Sequence, residues 1–443
     1  MLKKRFSKFR TISLLFVTIF TLALAGCTSD NTSSNAGSDS GSSSGDDVTE
    51  ITFWHGATDI GLTALETMVK AFEEKNPHIK VNMVYTESSE GADQKLLTAV
   101  AGGNPPDVAL FDRFKIGSWA AQDSLTDLTD MAETDGITKD LYYGYAWEEA
   151  NYEGRLYGLP YSTDSRLLYY NKDHFEAAGL DPENPPKTIQ ELEVAAEKLT
   201  KKNGNRFEQI GLIPWYGQGW LYGWGWSFGG DFFDEESGLV TADDPKIVEA
   251  LQWMTDFGKK YNVEDIAGFE SSAGTAAMDP FILGQISMKV DGNWTISAIE
   301  KYKPDLNYGV TPIPTPTGTD FTTWSGGIGI VIPKGAKNVE AAWEFVKYFG
   351  TQEGQEVYFA ELPGDLSVIP EVNENLGRGD NPILKQFIDI LPNSNSRPVI
   401  PEGQLLWNEL VTATENSTRE NGTPQENLEK ATETVNKALE KYK

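Results

Sequence analysis

Cysteine and histidine are scarce in this sequence. One cysteine, Cys27, and three histidines, His55, His78 and His174, are spread over 443 residues. A single thiol cannot close an internal disulfide, and the histidines are not spaced as ligands of one metal ion. The sequence therefore excludes a disulfide framework and gives no support for a zinc or haem site, so we expect no cofactor. A calcium ion held by surface carboxylates is left open.

Basic residues are also few. The chain has 37 lysines and arginines against 66 aspartates and glutamates, which gives a formal net charge of −29. So much negative charge opposes binding to nucleic acid or to anionic lipid headgroups, because both attract basic surfaces. We therefore expect neither as a partner.

The one long hydrophobic run lies at the N-terminus. Residues 1–10 carry five basic side chains and no acidic one, and an apolar run follows from Ile12 to Ala25. This run is shorter than the roughly 20 residues of a membrane span, and its layout is typical of a secretory signal peptide. We predict a signal peptide over residues 1–26, whose removal takes the formal charge from −29 to about −34.

Residues 24–27 read Leu-Ala-Gly-Cys, which resembles the bacterial lipobox. The resemblance implies cleavage before Cys27 and lipidation of its thiol; an ordinary signal peptide with an incidental cysteine is the alternative. The next 20 residues are almost entirely Ser, Asp, Asn, Gly and Thr, a composition that cannot bury enough apolar surface to fold. We predict a lipidated cysteine and flexible tether over residues 27–47, which hold the protein at the extracytoplasmic face of a bacterial cell membrane.

Two domains are expected beyond the tether. About 395 residues remain, more than one compact core usually holds. Apolar patterns with strand and helix periods alternate, which predicts an α/β fold with a mainly parallel sheet covered by helices. The predicted strands are 51–54, 79–85 and 107–111, and the predicted helices are 63–75, 93–101, 188–201, 245–261, 338–349 and 424–442. Ligands of such folds bind beyond the carboxyl ends of the strands.

Tryptophan is abundant. There are 12 tryptophans, and four of them lie within residues 215–226, where aromatic residues alternate with glycines. Glycine at this density is costly inside a helix or strand, so we predict a loop or helix entrance that presents rings such as Trp220 and Trp224 to a cleft. Exposed aromatic clusters usually mark a binding surface. By contrast, Trp253 and Trp343 lie on apolar faces of predicted helices and are expected in the core.

An ordered series of motifs covers nearly all of residues 50–443. Its members include Gly-Asn-Pro-Pro-Asp-Val at 103–108, Asn-Tyr-Glu-Gly-Arg-Leu-Tyr-Gly-Leu-Pro at 151–160, Leu-Tyr-Tyr-Asn-Lys-Asp at 168–173, Gly-Gln-Ile-Ser-Met at 284–288, Gly-Asn-Trp at 292–294, Tyr-Gly-Val-Thr-Pro-Ile-Pro at 308–314 and Ala-Ala-Trp-Glu-Phe-Val at 341–346. Together they resemble the extracellular solute-binding proteins of carbohydrate ABC importers, the family that includes maltose-binding protein. One motif alone would be weak, whereas the ordered series is specific.

The resemblance implies a periplasmic-binding-protein fold of type II. Such a fold has two α/β lobes joined by a hinge, with a ligand cleft between them that closes on binding. Residues 48–161 and 315–370 are predicted to form lobe 1, and residues 162–310 and 371–443 to form lobe 2. The crossing segments are expected near 159–164 and 308–314.

Several residues match sugar-contacting positions of maltose-binding protein, and the resemblance implies the same role here. Asp112 and Arg113 stand in a shared Asp-Arg-Phe sequence, and Asp164 matches a glutamate. An ordinary surface ion pair with Asp112 is the alternative role of Arg113. The matching aromatic positions are Trp220, Trp294 and Trp407.

Position along the chain adds further candidate ligand-binding residues. Trp54 and His55 follow one predicted strand as Asp112 and Arg113 follow another, so both pairs are expected at one cleft. His55 is equally well explained as an ordinary loop histidine. Trp224 belongs to the aromatic stretch, and Trp324 and Gly326 are included by position alone.

The function that the resemblance implies is capture without covalent chemistry. We predict a monomeric lipoprotein that binds a sugar, specifically an oligosaccharide, and delivers it to the membrane subunits of an ABC importer. A lipid-anchored glycoside hydrolase is one alternative, since hydrolases also combine aromatic platforms with carboxylates. The same fold binding a non-sugar solute is the other, because a fold does not determine its ligand.

Overall fold

The computed structural model describes residues 48–86, 90–204, 206–271 and 279–443. The predicted signal peptide, the lipidation site Cys27 and the predicted tether lie outside these ranges. The described residues all belong to one compact unit, Asp46–Lys443. Within them, no helix combines the length and apolar character that a membrane span requires.

The strands are short, and most are only a few residues long. In chain order they are β1 (Thr49–His55), β2 (Ile79–Tyr85), β3 (Val108–Asp112), β4 (Asn151–Tyr152), β5 (Arg155–Leu156), β6 (Leu159–Pro160), β7 (Ser162–Thr163), β8 (Arg166–Asn171), β9 (Lys201–Asn203), β10 (Arg206–Gln209), β11 (Phe233–Asp234), β12 (Leu239–Val240), β13 (Met288–Gly292), β14 (Tyr308–Thr311), β15 (Thr323–Trp324), β16 (Ile328–Val331), β17 (Leu366–Ser367) and β18 (Ser394–Asn395).

Helices supply most of the regular structure. They are α1 (Asp59–Lys75), α2 (Glu90–Ala101), α3 (Ile116–Ala121), α4 (Thr129–Thr134), α5 (Gly144–Glu149), α6 (Lys172–Ala177), α7 (Ile189–Leu199), α8 (Leu221–Ser227), α9 (Pro245–Tyr261), α10 (Val263–Glu270), α11 (Thr295–Tyr302), α12 (Val339–Gly350), α13 (Gln352–Ala360), α14 (Pro370–Asn375), α15 (Pro382–Ile390), α16 (Gly403–Thr418) and α17 (Pro424–Leu439).

Local sequence signals place the ends of several helices. The predicted helix over 245–261 coincides with α9, which has Asp244 as its N-cap and a proline in the first turn. Thr188 and Glu191 form a reciprocal capping box at the start of α7. These caps satisfy backbone N–H groups that have no partner inside the helix.

The first sheet has the strand order β2-β1-β3-β16-β6. β1 is parallel to both β2 and β3, as the alternating βαβ pattern predicts. β16, which comes from much later in the chain, runs antiparallel to β3 and β6. The prediction of a mainly parallel sheet therefore holds only for the three strands that the first βαβ units connect.

The second sheet corrects that prediction more fully. Its order is β13-β8-β14, and both pairings are antiparallel. Parallel pairing between strands close in sequence requires a helical crossover, whereas these strands join by long excursions that allow either direction.

Two hydrophobic cores surround these sheets. The first contains Phe53 and Phe345, and the second contains Tyr169 and Trp224. Trp253 and Trp343 are buried as predicted, at 8% and 5% exposure. The lobe boundaries given above remain a prediction.

Candidate ligand-binding site

A cleft of about 520 Å³ opens between elements that pack on the two cores. It is lined from the first side by residues at the ends of β3, β6 and β16, and from the second side by β8, α8 and α16. The predicted ligand-binding residues that line it are Asp112, Asp164, Trp220, Trp294, Trp324 and Trp407. Its size lies within the usual range for small-molecule sites.

Asp112 is held by an arginine that the sequence did not single out. Asp112 ends β3, and its Oδ1 accepts from Nη2 of Arg397 at 3.0 Å. The Arg397 guanidinium lies 3.9 Å above the ring of Phe114 and is almost fully buried. Because both partners are fixed, the carboxylate is oriented before any ligand arrives.

Asp164 is paired in the same way. Its Oδ1 accepts from Nη1 of Arg166 and, at 2.7 Å, from the backbone N–H of Gly326. The Arg166 guanidinium stacks 3.7 Å from the ring of Trp324 and 5.4 Å from that of Trp294. Burial lowers the pKa of Arg166, and the negative charge of nearby Asp164 offsets part of this decrease.

Arg113 lies beneath the cleft and does not line it. Its Nε donates to Glu149 Oε2 at 3.0 Å, its Nη2 to the Gly326 carbonyl at 2.6 Å, and its Nη1 to the Ser162 carbonyl. Both members of the ion pair are fully buried, and burial raises the pKa of Glu149 while Arg113 opposes the rise. The structure therefore does not bring Arg113 to the cleft as a ligand-binding residue, and the alternative of a surface ion pair with Asp112 is wrong, because Arg113 joins two chain segments under the site.

The aromatic side of the cleft is a cluster of tryptophans in mutual contact. The Trp220 and Trp407 ring centroids are 5.0 Å apart, and those of Trp324 and Trp407 are 6.3 Å apart. Tyr222 stacks behind Trp407 at 6.1 Å. Flat apolar rings of this kind match the C–H faces of a sugar or any other flat ligand.

The position of the Trp294 ring requires a glycine two residues before it. A Cβ added at Gly292 would lie 2.1 Å from the Trp294 ring, so the ring covers the backbone of the strand end. Asn293, between them, donates to the Gly364 carbonyl at 2.9 Å and fixes the turn. The Gly-Asn-Trp motif thus lets the tryptophan ring pack directly against the backbone of the glycine.

Asp365 is a third carboxylate at the cleft and was not predicted. Burial raises its pKa from 3.8 to about 6, with Arg378 lowering it and Asp164 raising it further. No described residue forms a hydrogen bond or ion pair with its carboxylate. Its charge therefore changes as the pH passes through about 6.

The aromatic stretch 215–226 divides into two parts. Trp220 is the N-cap of α8 and lines the cleft, whereas Trp224 and Trp226 lie inside α8 and are buried. Trp224 donates from Nε1 to the Pro214 carbonyl at 2.8 Å and packs on Trp253. The structure therefore does not bring Trp224 to the cleft.

The prediction of a loop or helix entrance was wrong for the second part because glycine has a packing role there. A Cβ on Gly223 would contact Trp324, and one on Gly225 would lie 2.5 Å from Phe232. Glycine lets these rings approach the helix backbone, which offsets its unfavourable helix propensity.

Trp54 and His55 are also outside the cleft. Both lie within β1, and Trp54 pairs in register with Ala109, three residues before Asp112. His55 is buried, and burial lowers its pKa. β1 therefore ends further from the cleft than β3 does, and this register between the two strands could not be predicted from sequence alone.

Arg166, Gln218, Asp365 and Arg397 line the cleft without having been predicted. Arg397 precedes Pro398 in an irregular segment, and no periodicity marks it. Among the described residues, no group of three or more histidine, cysteine, aspartate or glutamate side chains is placed to hold a metal ion.

Known proteins resemble the chain over most of its length. The family model of the bacterial extracellular solute-binding proteins matches residues 57–356, more than half of the chain. A maltooligosaccharide ABC transporter solute-binding lipoprotein of Streptococcus pneumoniae is 30% identical over 358 residues, 77% of this chain and 78% of its own. The maltodextrin-binding protein MdxE of Bacillus subtilis is 26% identical, over 77% of this chain and 79% of its own.

Solved structures agree in fold. CpMnBP1 with mannotriose bound superimposes with a TM-score of 0.80 and 28% identity, over 87% of this chain and 100% of its own. An ABC substrate-binding protein of Listeria monocytogenes in complex with cycloalternan gives a TM-score of 0.77 and 25% identity, over 89% and 99%. These similarities confirm the predicted two-lobed α/β fold with a ligand cleft. The chain belongs to the family of bacterial extracellular solute-binding proteins.

Proposed function

We propose that this protein captures a carbohydrate, specifically an oligosaccharide, outside the cell and delivers it to the membrane subunits of an ABC importer. The observation that carries the proposal is the composition of the cleft. Four tryptophan rings (Trp220, Trp294, Trp324 and Trp407) and the oriented carboxylates of Asp112 and Asp164 line the same space. Rings cover the C–H faces of a sugar, and carboxylates accept hydrogen bonds from its hydroxyls.

The polar groups beside the cleft include buried donors. Among the described residues, Arg166 Nε, Arg397 Nε and Trp324 Nε1 have no hydrogen-bond partner. A buried donor without a partner costs about 1–3 kcal/mol. All three atoms are closed off from the cleft in this structure, so a sugar hydroxyl becomes their acceptor only where binding turns these side chains toward it.

The size of the cleft and the relatives favour an oligosaccharide. A cleft of about 520 Å³ exceeds the space that a single sugar ring fills. The relatives named above are described as binding maltooligosaccharide and maltodextrin, and the similar structures hold mannotriose and cycloalternan.

The remaining parts of the proposal concern location and assembly. The name of the Streptococcus pneumoniae relative includes a lipoprotein and an ABC transporter. Together with the Leu-Ala-Gly-Cys sequence at residues 24–27, this supports a lipid anchor at Cys27 on the extracytoplasmic face of the cell membrane. We further propose that the protein acts as a monomer, delivering its ligand by docking on the importer.

The geometry gives less support to the hydrolase alternative. Hydrolysis needs one carboxylic acid that donates a proton and a second carboxylate as base or nucleophile. Asp112 and Asp164 each accept from a buried arginine, Arg397 and Arg166 respectively, and are held in place by these ion pairs. We therefore assign both to ligand binding, and the product analysis below tests Asp365, the remaining cleft carboxylate, as a proton donor.

The test is calorimetric titration of the purified protein with a panel of monosaccharides and oligosaccharides, followed by analysis of the solution for cleaved sugar. We expect one sugar family to bind at one site per chain, without product. Trp220→Ala and Trp294→Ala should each weaken binding.

Trp54→Ala is the matched control, because it removes a tryptophan that lies outside the cleft and should leave the affinity unchanged. Failure of every sugar to bind would contradict the proposed ligand class. Release of shorter sugars would support the hydrolase instead.

A further inference from the structure

A second pocket of about 260 Å³ lies directly behind the aromatic side of the cleft. Trp220 and Trp407 line both spaces, so the two rings form the partition between them. The other walls come from α10 and from the second half of α16, including Val263, Ala267 and Val411. The two rings are in contact, with centroids 5.0 Å apart, so a group attached to a ligand in the cleft enters this pocket only when one ring turns aside.

The chemistry of this pocket differs from that of the cleft. Its threonines are already engaged, because Thr414 Oγ1 donates to the Leu410 carbonyl at 2.8 Å and Thr418 Oγ1 to the Thr414 carbonyl at 2.9 Å. Arg419 faces Glu264 at 3.7 Å on the exposed rim. Few polar groups remain for a ligand inside the pocket.

Glu270 is the main exception. Its Oε2 accepts a long bond of 3.4 Å from Trp215 Nε1, and burial raises its pKa. One or two polar groups suit a ligand with a single hydroxyl, whereas a further sugar unit carries several hydroxyls that would lose their partners.

Size points the same way. A cavity of about 150 Å³ lined by apolar side chains is large enough to bind benzene. A space of about 260 Å³ therefore accommodates an aromatic ring with a small substituent.

We propose that this pocket binds an aromatic group, such as a phenol, attached to the reducing end of the sugar held in the cleft. The protein would then take up aryl glycosides, with the reducing end directed at Trp220 and Trp407 and the phenolic hydroxyl donating to Glu270. This inference extends the proposed function and rests on it for the sugar part of the ligand.

The test compares glycosides that differ only in the group on the reducing end. The probes are the methyl and 4-hydroxyphenyl glycosides of maltotriose and mannobiose, with phenol alone as a probe of the pocket. We expect the 4-hydroxyphenyl compound to bind about tenfold more tightly than the methyl compound, since burying one aromatic ring contributes at least the free energy that a tenfold change in Kd represents. Phenol should bind at millimolar concentration.

Ala267→Phe fills the pocket from α10 and should remove the tenfold difference while methyl glycoside binding persists. Val411→Phe fills it from α16 and covers the case in which the first variant does not fold. Ala177→Phe is the matched control, because Ala177 is exposed on α6 and lines neither space. It should retain the preference for the aryl compound.

Equal affinity for the aryl and methyl compounds, with no binding of phenol, overturns the proposal. A longer oligosaccharide that gains affinity only when the pocket is open, without an aryl preference, would assign the pocket to sugar and overturn it too. If neither sugar binds in any form, the proposed carbohydrate function fails, while phenol binding that Ala267→Phe abolishes still supports an aromatic site.

Discussion

The two sides of the cleft offer a ligand different chemistry. The side that packs on the second core carries Trp220, Trp294, Trp324 and Trp407, whereas the lining residues from the first core include Asp112, Tyr161 and Ser162 and no tryptophan. The rings are fixed by contact with one another and with α8, and the polar side is fixed by ion pairs. Stacking and hydrogen bonding therefore depend on separate supports, which can be disrupted separately.

The polar side has the most vulnerable support, so its loss should have the largest effect. We expect Arg113→Met to lower the free energy of unfolding by roughly 3–5 kcal/mol, because it leaves the Glu149 carboxylate buried without its partner. The carbonyls of Ser162 and Gly326 also lose their donor. Urea denaturation measures the change.

The double variant Arg113→Met with Glu149→Met is the control for this explanation. Replacing both members of a buried pair by apolar side chains often costs little. The double variant should therefore recover part of the lost stability. If it is no more stable than Arg113→Met alone, the unpaired carboxylate is not the cause.

Adding one methyl group at Gly292 should disrupt the aromatic side of the cleft. Gly292→Ala places a Cβ where the Trp294 ring lies, 2.1 Å away, so the ring must move out of its position in the cleft. We expect the affinity for the bound oligosaccharide to fall roughly tenfold, about the contribution of one aromatic stacking contact. Calorimetry measures the change.

Gly144→Ala is the matched control, because nothing lies within 4 Å of a Cβ at that position. It should bind sugar as the unaltered chain does. An unchanged affinity in Gly292→Ala would mean that Trp294 does not contact the ligand.

Asp365 should make the polar side sensitive to pH. With a pKa of about 6, its side chain is an ionised carboxylate above that pH and accepts hydrogen bonds from sugar hydroxyls. Below that pH it is protonated and is a weaker acceptor. We expect affinity to fall by up to about tenfold between pH 7.5 and pH 5, in proportion to the ionised fraction. Asp365→Asn should remove this dependence, and an unaltered pH profile in that variant would exclude Asp365 as its source.

The stability of the free protein should change in the opposite direction. Because the pKa of Asp365 is raised on folding, the folded state holds a proton between about pH 4 and 6 that the unfolded state releases. The contribution of this group to stability is full below pH 4 and is lost as the pH rises through 6. Thermal unfolding without sugar, compared between the unaltered chain and Asp365→Asn, separates the two effects.

The smallest expected effect concerns a contact between the two sides. Lys301 on α11 forms an exposed ion pair with Asp59 at the start of α1, and the Tyr302 hydroxyl lies 3.4 Å from the same carboxylate. We expect this contact to help hold the two sides together around a ligand, so Lys301→Ala should weaken sugar binding by less than about fivefold, because exposed ion pairs contribute little.

High salt should reduce this effect further, since it screens exposed charges. Lys334→Ala is the control, because its exposed partner Asp123 belongs to the same side of the cleft. A loss of affinity in Lys334→Ala equal to that in Lys301→Ala would show a general charge effect instead of a contact between the sides.

Local patterns predicted the regular elements well. The apolar periods and caps gave β2 and α9 with their observed bounds and α1, α7 and α12 with small shifts at the ends. The signals that set these elements lie within a few residues of each other along the chain. The antiparallel second sheet was not predictable in this way, because strand direction there depends on segments far apart in sequence.

The candidate site could be predicted only in part. Asp112, Asp164, Trp220, Trp294 and Trp407 came from motifs with a fixed place in the resemblance. Arg166 and Arg397 stand in no such motif, and Trp54 and Trp224 were predicted from composition and position. Whether a tryptophan faces a core or a cleft depends on the residues that pack against it, and these tertiary contacts cannot be predicted from composition.

By itself, the sequence determined the α/β class, the basic and apolar N-terminal pattern, the ends of many helices and the family, because each is written in local spacing or in an ordered series of motifs. Only the tertiary structure decided that Arg113 pairs with Glu149, that Asp112 pairs with Arg397, and that Trp220 but not Trp224 reaches the cleft. Each of these features depends on burial and on the register between segments up to 285 residues apart. Burial and register are determined by tertiary packing and not by neighbouring residues in the chain.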